Sequence, residues 1–126
     1  MLVEDDYLVR ELARAVLAAC GYSVLVAETA LTVSSLCEHY VGPIHLLLTD
    51  VVMPGIGGRE LARQVVAHSP DTKVLYMSGY ATNAIVHHVE LDSGTFFLPK
   101  PFTPALLAAK VREVLDRPLA TKNPAH

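Results

Sequence analysis

Two rhythms of apolar and polar residues run along this chain. Short unbroken apolar runs alternate with longer stretches in which apolar residues recur every three or four positions. The runs predict strands buried on both faces of a parallel sheet, and the recurrences predict amphipathic helices. Met1-Leu2-Val3 is an apolar stub, a first strand cut short at its start. From about Asp6 to Cys20 the spacing of Val9, Leu12, Ala13, Val16 and Cys20 predicts a helix, with Gly21 as its stop. Residues 23–27 form a second strand. A second helix spans about Thr29 to Tyr40, with Leu31, Ser35, Leu36 and Tyr40 on one side, and Gly42-Pro43 breaks it. The central strand runs from about Ile44 to Thr49. A third helix spans Gly58 to His68 with Leu61, Ala62 and Val65 inward, closed by Ser69-Pro70-Asp71. Residues 73–78 form a fourth strand, 82–91 a short fourth helix and 95–98 a fifth strand. Thr103 caps the last helix with Pro104 at its first position, and Leu107, Val111, Val114 and Leu115 line its inner face. Beyond Pro118 the periodicity is lost, so the domain is expected over residues 1–117 with 118–126 as a disordered tail or linker.

Five strands alternating with five helices predict one α/β domain with helices on both faces of a parallel sheet. The apolar run Leu46-Leu47-Leu48-Thr49 ends in the carboxylate of Asp50, and Pro54-Gly55 turns the chain away. Open α/β sheets bind ligands at that C-terminal edge. A carboxylate there fits a metal ligand, a nucleophile, or an ordinary turn or helix-capping Asp.

Composition narrows the field. The 126 residues suit a single core, and 52% hydrophobic with 18% charged residues is a soluble globular balance. A net charge of −3 argues against a general nucleic-acid surface. No apolar run is long enough for a membrane span, and Glu4, Asp5 and Asp6 interrupt any signal-peptide pattern. Cys20 and Cys37 match no zinc spacing and are expected as reduced core thiols of a cytoplasmic protein.

The topology then changes the meaning of Asp50. Glu4 and Asp5 follow the first strand, Asp50 the third and Lys100 the fifth, while Ser78 ends the fourth. Parallel strands bring all of them to one edge, which makes a site. Clustered carboxylates hold their charge around a divalent cation, and oxygen donors without His or Cys select Mg²⁺. A carboxylate nucleophile forms an aspartyl phosphate, and phosphoryl transfer asks mainly for charge neutralisation. Mg²⁺ and Lys100 would supply it, and the Ser78 hydroxyl could donate to a phosphoryl oxygen. Lys100 stands between Pro99 and Pro101, and either isomer of the Lys100–Pro101 bond is open.

In order and spacing, the acidic pair, Asp50 with Met53-Pro54 and Gly58, Met77-Ser78-Gly79, and Lys100-Pro101-Phe102 resemble the receiver domain of bacterial two-component response regulators. The resemblance covers about residues 2 to 116. It implies a flavodoxin-like doubly wound sheet in strand order 2-1-3-4-5. Position by position, it makes Asp50 the phosphoacceptor. Asp5 becomes the direct Mg²⁺ ligand and Glu4 a ligand largely through water. Asp50 and the Val52 backbone carbonyl complete the metal site. Ser78 becomes the switch hydroxyl, Lys100 the phosphoryl contact, and Asp6 a helix cap. No other cofactor is implied. A histidine kinase or histidine phosphotransfer protein would donate the phosphoryl group. Ser78 and the aromatic position before Lys100, here Phe97, would then move and reshape the face of the fourth helix, fifth strand and last helix. Phe97 stands where many receivers carry Tyr, so the hydroxyl of that switch is missing. Val52 offers no polar group to a hydrolytic water and Tyr80 is bulky, so slow loss of phosphate is expected.

Within the family the segment around Met77 to Ala81 and the run from Ala84 to Phe102 look most like receivers at the C-terminus of hybrid sensor histidine kinases. A stand-alone regulator is the competing context, and a homodimer through the switch face is left open. The domain itself is a phosphoacceptor rather than a turnover enzyme. His87 and His88 read as partly exposed helix residues. Three rivals fare worse. A haloacid-dehalogenase-type phosphatase wants a second Asp where Val52 stands. An unphosphorylated interaction module would have lost an acid, the hydroxyl or the lysine. A flavin site would need a glycine-rich loop after the first strand, where acids stand instead.

Overall fold

Helix-capping chemistry and buried apolar runs set the architecture. The computed structural model describes residues 1–51, 56–78 and 96–117. The elements are β1 (Leu2–Val3), α1 (Tyr7–Ala19), β2 (Val26–Ala27), α2 (Ala30–His39), β3 (Leu46–Asp50), α3 (Gly58–His68), β4 (Lys73–Ser78), β5 (Phe96–Pro99) and α4 (Pro104–Asp116). The five strands form one parallel sheet in the order β2-β1-β3-β4-β5, as the resemblance implied. The helix expected over 82–91, His87 and His88, and the tail from 118 lie outside the described residues. Among the described residues no helix is long and apolar enough to cross a membrane.

Side-chain alternation along the strands divides the core in two. On one face Val3, Leu47, Val51 and Tyr76 pack with Val33 of α2 and Leu61 and Val65 of α3. On the other, Leu2, Leu48, Leu75 and Met77 pack with Ala13 and Leu17 of α1 and Leu107, Val111 and Val114 of α4. Helices therefore cover both faces.

The caps expected of Asp6 and Thr103 are present, and Thr29 adds one that was not expected. The Asp6 carboxylate accepts from the amides of Leu8 at 2.9 Å and Val9 at 3.2 Å and starts α1. Thr29 caps α2 and Thr103 caps α4, with Pro104 in its first turn. Gly21 ends α1 with φ +93°, a left-handed conformation that suits glycine. Lys73 ties the other end of α4 to β4 by donating to the carbonyls of Leu115, at 2.8 Å, and Arg117.

Three expectations need correction. The buried stripe of α1 is Arg10, Ala13 and Leu17, flanked by Val9 and Val16. Leu12 and Cys20 face solvent, so Cys20 is not a core thiol; Cys37 is half-buried against the core. On α2, Leu31 is 84% exposed and Tyr40 stands at the surface, while Val33, Leu36 and Cys37 point inward. Apolar residues lie on several sides of α2, so helical spacing alone selects no face. Finally, β2 is two residues long because β1, its only strand partner among the described residues, offers two residues to pair with.

Candidate functional site

Strand register assembles the site. Val3 pairs with Thr49, so Glu4 leaves β1 at the level where Asp50 ends β3. Asp50 pairs with Met77, and Ser78 with Pro99, which delivers Lys100 to the same edge. The Lys100 amide donates to the Ser78 carbonyl at 2.6 Å, extending the ladder one step past the strand. The Lys100–Pro101 bond is cis.

The Lys100 ammonium lies between two carboxylates, 2.8 Å from Glu4 Oε1 and 2.7 Å from Asp50 Oδ1. Glu4 is fully buried, and Asp50 and Ser78 are nearly so. Asp5 is exposed at the mouth. Ligand oxygens of Glu4, Asp5 and Asp50 all lie within 4.8 Å of one another. Desolvation raises the Glu4 carboxyl above its ordinary value, and the Asp50 carboxylate adds to the rise against the opposing pull of Lys100. Desolvation and the hydrogen-bonded Glu4 side chain raise Asp5. For Lys100 burial opposes the charge, but the Asp50 and Glu4 carboxylates outweigh it and raise its affinity for the proton. Lys100 thus pairs with two carboxylates while a third, Asp5, stands beside them, a deficit of positive charge that an oxygen-seeking divalent ion would correct. The donor set fits Mg²⁺.

The backbone beneath Asp50 is equally constrained. Gly58 opens α3 with its amide donating to the Val51 carbonyl at 2.8 Å. A Cβ at Gly58 would overlap the Asp50 carbonyl oxygen and come 2.9 Å from the carbonyl carbon. Only glycine lets α3 approach the strand end this closely. Phe97 is half-buried on β5, its ring 5.5 Å from that of Tyr76 in a stacked arrangement.

Glu4, Asp5, Asp50, Ser78 and Lys100 therefore converge on one edge as the chain order required. Val52, Gly79 and Tyr80 lie outside the described residues. Sequence reasoning missed Arg10. It is 8% exposed, and its Nη1 donates to the Glu4 carbonyl at 3.0 Å. Its signal was a charge spaced three and seven positions before Ala13 and Leu17, on the buried stripe. A cavity of about 420 Å³ opens at the opposite end of the sheet, between the starts of β2 and β3 near Tyr22, Val24 and Ile44. It is mostly apolar and has no converging carboxylates, so the chemistry belongs to the acidic edge.

Comparisons with known proteins agree with this geometry. The response regulator receiver domain family matches residues 1–112. Sensor kinase CckA of Brucella abortus (strain 2308) is 35% identical over 117 residues, covering 93% of this chain and 12% of the kinase. The response regulator receiver protein CpdR of the same organism is 30% identical over 115 residues, covering 91% of this chain and 94% of that protein. The crystal structure of the receiver domain from hybrid histidine kinase CckA has a TM-score of 0.74 at 32% identity, covering 90% of this chain and 95% of that one. A family match across most of the chain, on a sheet of the right strand order with its acids, hydroxyl and lysine at one edge, means that this chain belongs to the response regulator receiver domains, the phosphoacceptors of two-component signalling.

Proposed function

We propose that Asp50 is the phosphoacceptor and that Glu4, Asp5 and Asp50 hold the Mg²⁺ on which the transfer depends. The observation that carries this is the Lys100 ammonium fixed between Glu4 and Asp50, at the edge where Ser78 also ends. An Asp50 oxygen attacks the phosphorus of a phosphohistidine on a histidine kinase or phosphotransfer protein. The P–N bond breaks, the imidazole leaves and takes up a proton, and Asp50 becomes an acyl phosphate. Mg²⁺ would neutralise charge on the phosphoryl oxygens. Lys100 binds one of those oxygens in exchange for its present bond to Asp50, and Ser78 donates to another. The Val52 carbonyl is the expected fourth protein ligand.

The signal leaves through the face that includes β5. Phe97 is the residue that would repack, since its half-buried ring rests on Tyr76 without a hydroxyl to anchor it. The likeness to CckA supports a place within a hybrid histidine kinase, and the near end-to-end match to CpdR supports a stand-alone regulator. Either context would be a cytoplasmic one. A homodimer through the switch face belongs to the same reading.

The test is intact mass after incubation with Mg²⁺ and acetyl phosphate, beside Asp50→Ala. One added phosphoryl group in the parent protein and none in the variant is the expected result. A group added to both would move the acceptor elsewhere. No addition to either, with a beryllofluoride mimic also failing to bind, would favour an interaction module on the same fold.

A further inference from the structure

The geometry points to Arg10 as a positioning residue that sets the Mg²⁺ affinity of the acidic loop. The inference rests on the reading that Glu4 and Asp5 hold the metal. The two acids are carried by a turn between β1 and α1 rather than by a regular element. That turn is held on three sides. The Glu4 amide donates to the Ala27 carbonyl of β2 at 3.2 Å. The Asp6 amide donates to Glu4 Oε2 at 3.2 Å while the Asp6 carboxylate caps α1. The Glu4 carbonyl stands just past the last β1 pairing and accepts from Arg10 Nη1 at 3.0 Å, in a buried setting. Arg10 reaches it from the buried stripe of α1, its guanidinium 5.4 Å from the centre of the Tyr7 ring.

The bonded carbonyl belongs to the peptide that joins Glu4 to Asp5. Its orientation sets the directions in which the two carboxylates leave the backbone. Groups that orient metal ligands from behind affect affinity strongly, commonly by about 10–100-fold. A competing electrostatic effect has the opposite sign. A fixed guanidinium charge behind the acids repels Mg²⁺, so its removal by itself would tighten binding. The sign of the change therefore separates positioning from bare charge.

The test is calorimetric titration of Mg²⁺ into the metal-free full chain and into Arg10→Met, Arg10→Gln and Arg10→Lys. Thermal unfolding without metal accompanies each titration. Methionine fills the stripe without a donor, glutamine is too short to reach the carbonyl, and lysine can reach and donate. Arg10→Met and Arg10→Gln are expected to weaken Mg²⁺ binding about tenfold or more, and Arg10→Lys to retain most of the affinity. Two removal variants keep the test available should one fail to fold. A purely structural role would lower the unfolding midpoint and leave the affinity of the folded fraction unchanged. Parent-like or tighter binding in Met and Gln variants, or an equal loss in the Lys variant, would overturn the inference. Absence of binding by the parent chain would overturn the metal reading itself and Arg10's role with it.

Discussion

At the scale of single residues, Lys100 and Gly58 carry opposite kinds of constraint. Lys100 holds two carboxylates together by charge. Replacing it with Met leaves Glu4 buried beside Asp50 with no cation, and removing one partner of a buried ion pair is expensive. Because the lysine side chain is partly exposed, the expected loss in metal-free protein is about 2 kcal/mol, below the range for fully buried pairs. Mg²⁺ should restore more stability to Lys100→Met than to the parent, since it supplies the missing charge. Thermal unfolding with and without Mg²⁺ measures both, and equal metal-induced shifts would sink the idea. Gly58 acts by absence. In Gly58→Ala the new methyl meets the Asp50 carbonyl, and α3 must retreat from the strand that carries Asp50, the proposed acceptor. The expected cost is about 1–3 kcal/mol, together with slower phosphorylation by acetyl phosphate. Unchanged stability and rate would show that the helix start yields freely. The cysteines differ as well. Cys20 is exposed, whereas burial raises the Cys37 thiol, so iodoacetamide should label Cys20 first in the native protein, as peptide mass mapping would show.

At the scale of elements, the starts of the strands are held as firmly as their functional ends. The Thr72 hydroxyl donates to the Ile44 carbonyl at 2.7 Å in a buried position, joining the entry of β4 to that of β3. Thr72→Val removes the donor and leaves the carbonyl without it. The expected loss is about 1–3 kcal/mol, with phosphorylation unchanged because the site lies at the other end of both strands. Urea unfolding would check the first part and acetyl phosphate labelling the second. The same comparison of strands and helices explains what the sequence could tell. Asp50, Ser78 and Lys100 each stand where an apolar run stops, and a parallel sheet turns those three stops into one edge. The orientation of the helices was harder to read. On α2, Leu31, Val33, Leu36 and Cys37 offer apolar side chains in several directions, and only contact with β2 and α3 selects 33, 36 and 37. On α1 the buried stripe includes Arg10, and a charge there weakens the apolar periodicity that would have located it. The ion pair at Lys100 was legible as convergence, but not as a lysine shared by Glu4 and Asp50, because distance is a property of packing.

At the scale of the whole molecule, the site stores a conflict between folding and function that pH should expose. Desolvation, with help from neighbouring carboxylates, raises both Glu4 and Asp5 above their ordinary values. Between the unfolded and folded values the native protein therefore binds more protons than the unfolded chain. Stability of the metal-free protein must then fall as pH rises through that window, from about 4.5 upward for Glu4. At the proposed metal site Mg²⁺ would reverse the balance, because it would bind the carboxylates only when the protons have left. Metal affinity should rise over the same window and level off once both acids are ionised. The metal-induced gain in stability follows the ratio of metal concentration to its dissociation constant, about 2.7 kcal/mol at a hundredfold excess. The increase in Tm on adding a fixed concentration of Mg²⁺ should therefore grow with pH from the acid side and reach a plateau toward neutrality. Glu4→Gln cannot lose that proton. Its metal-free protein should be less sensitive to pH, and its Mg²⁺ response smaller and flatter. Scans at several pH values with and without Mg²⁺ provide the measurement. A Tm increment independent of pH in the parent chain would mean that these carboxylates do not exchange protons for the metal.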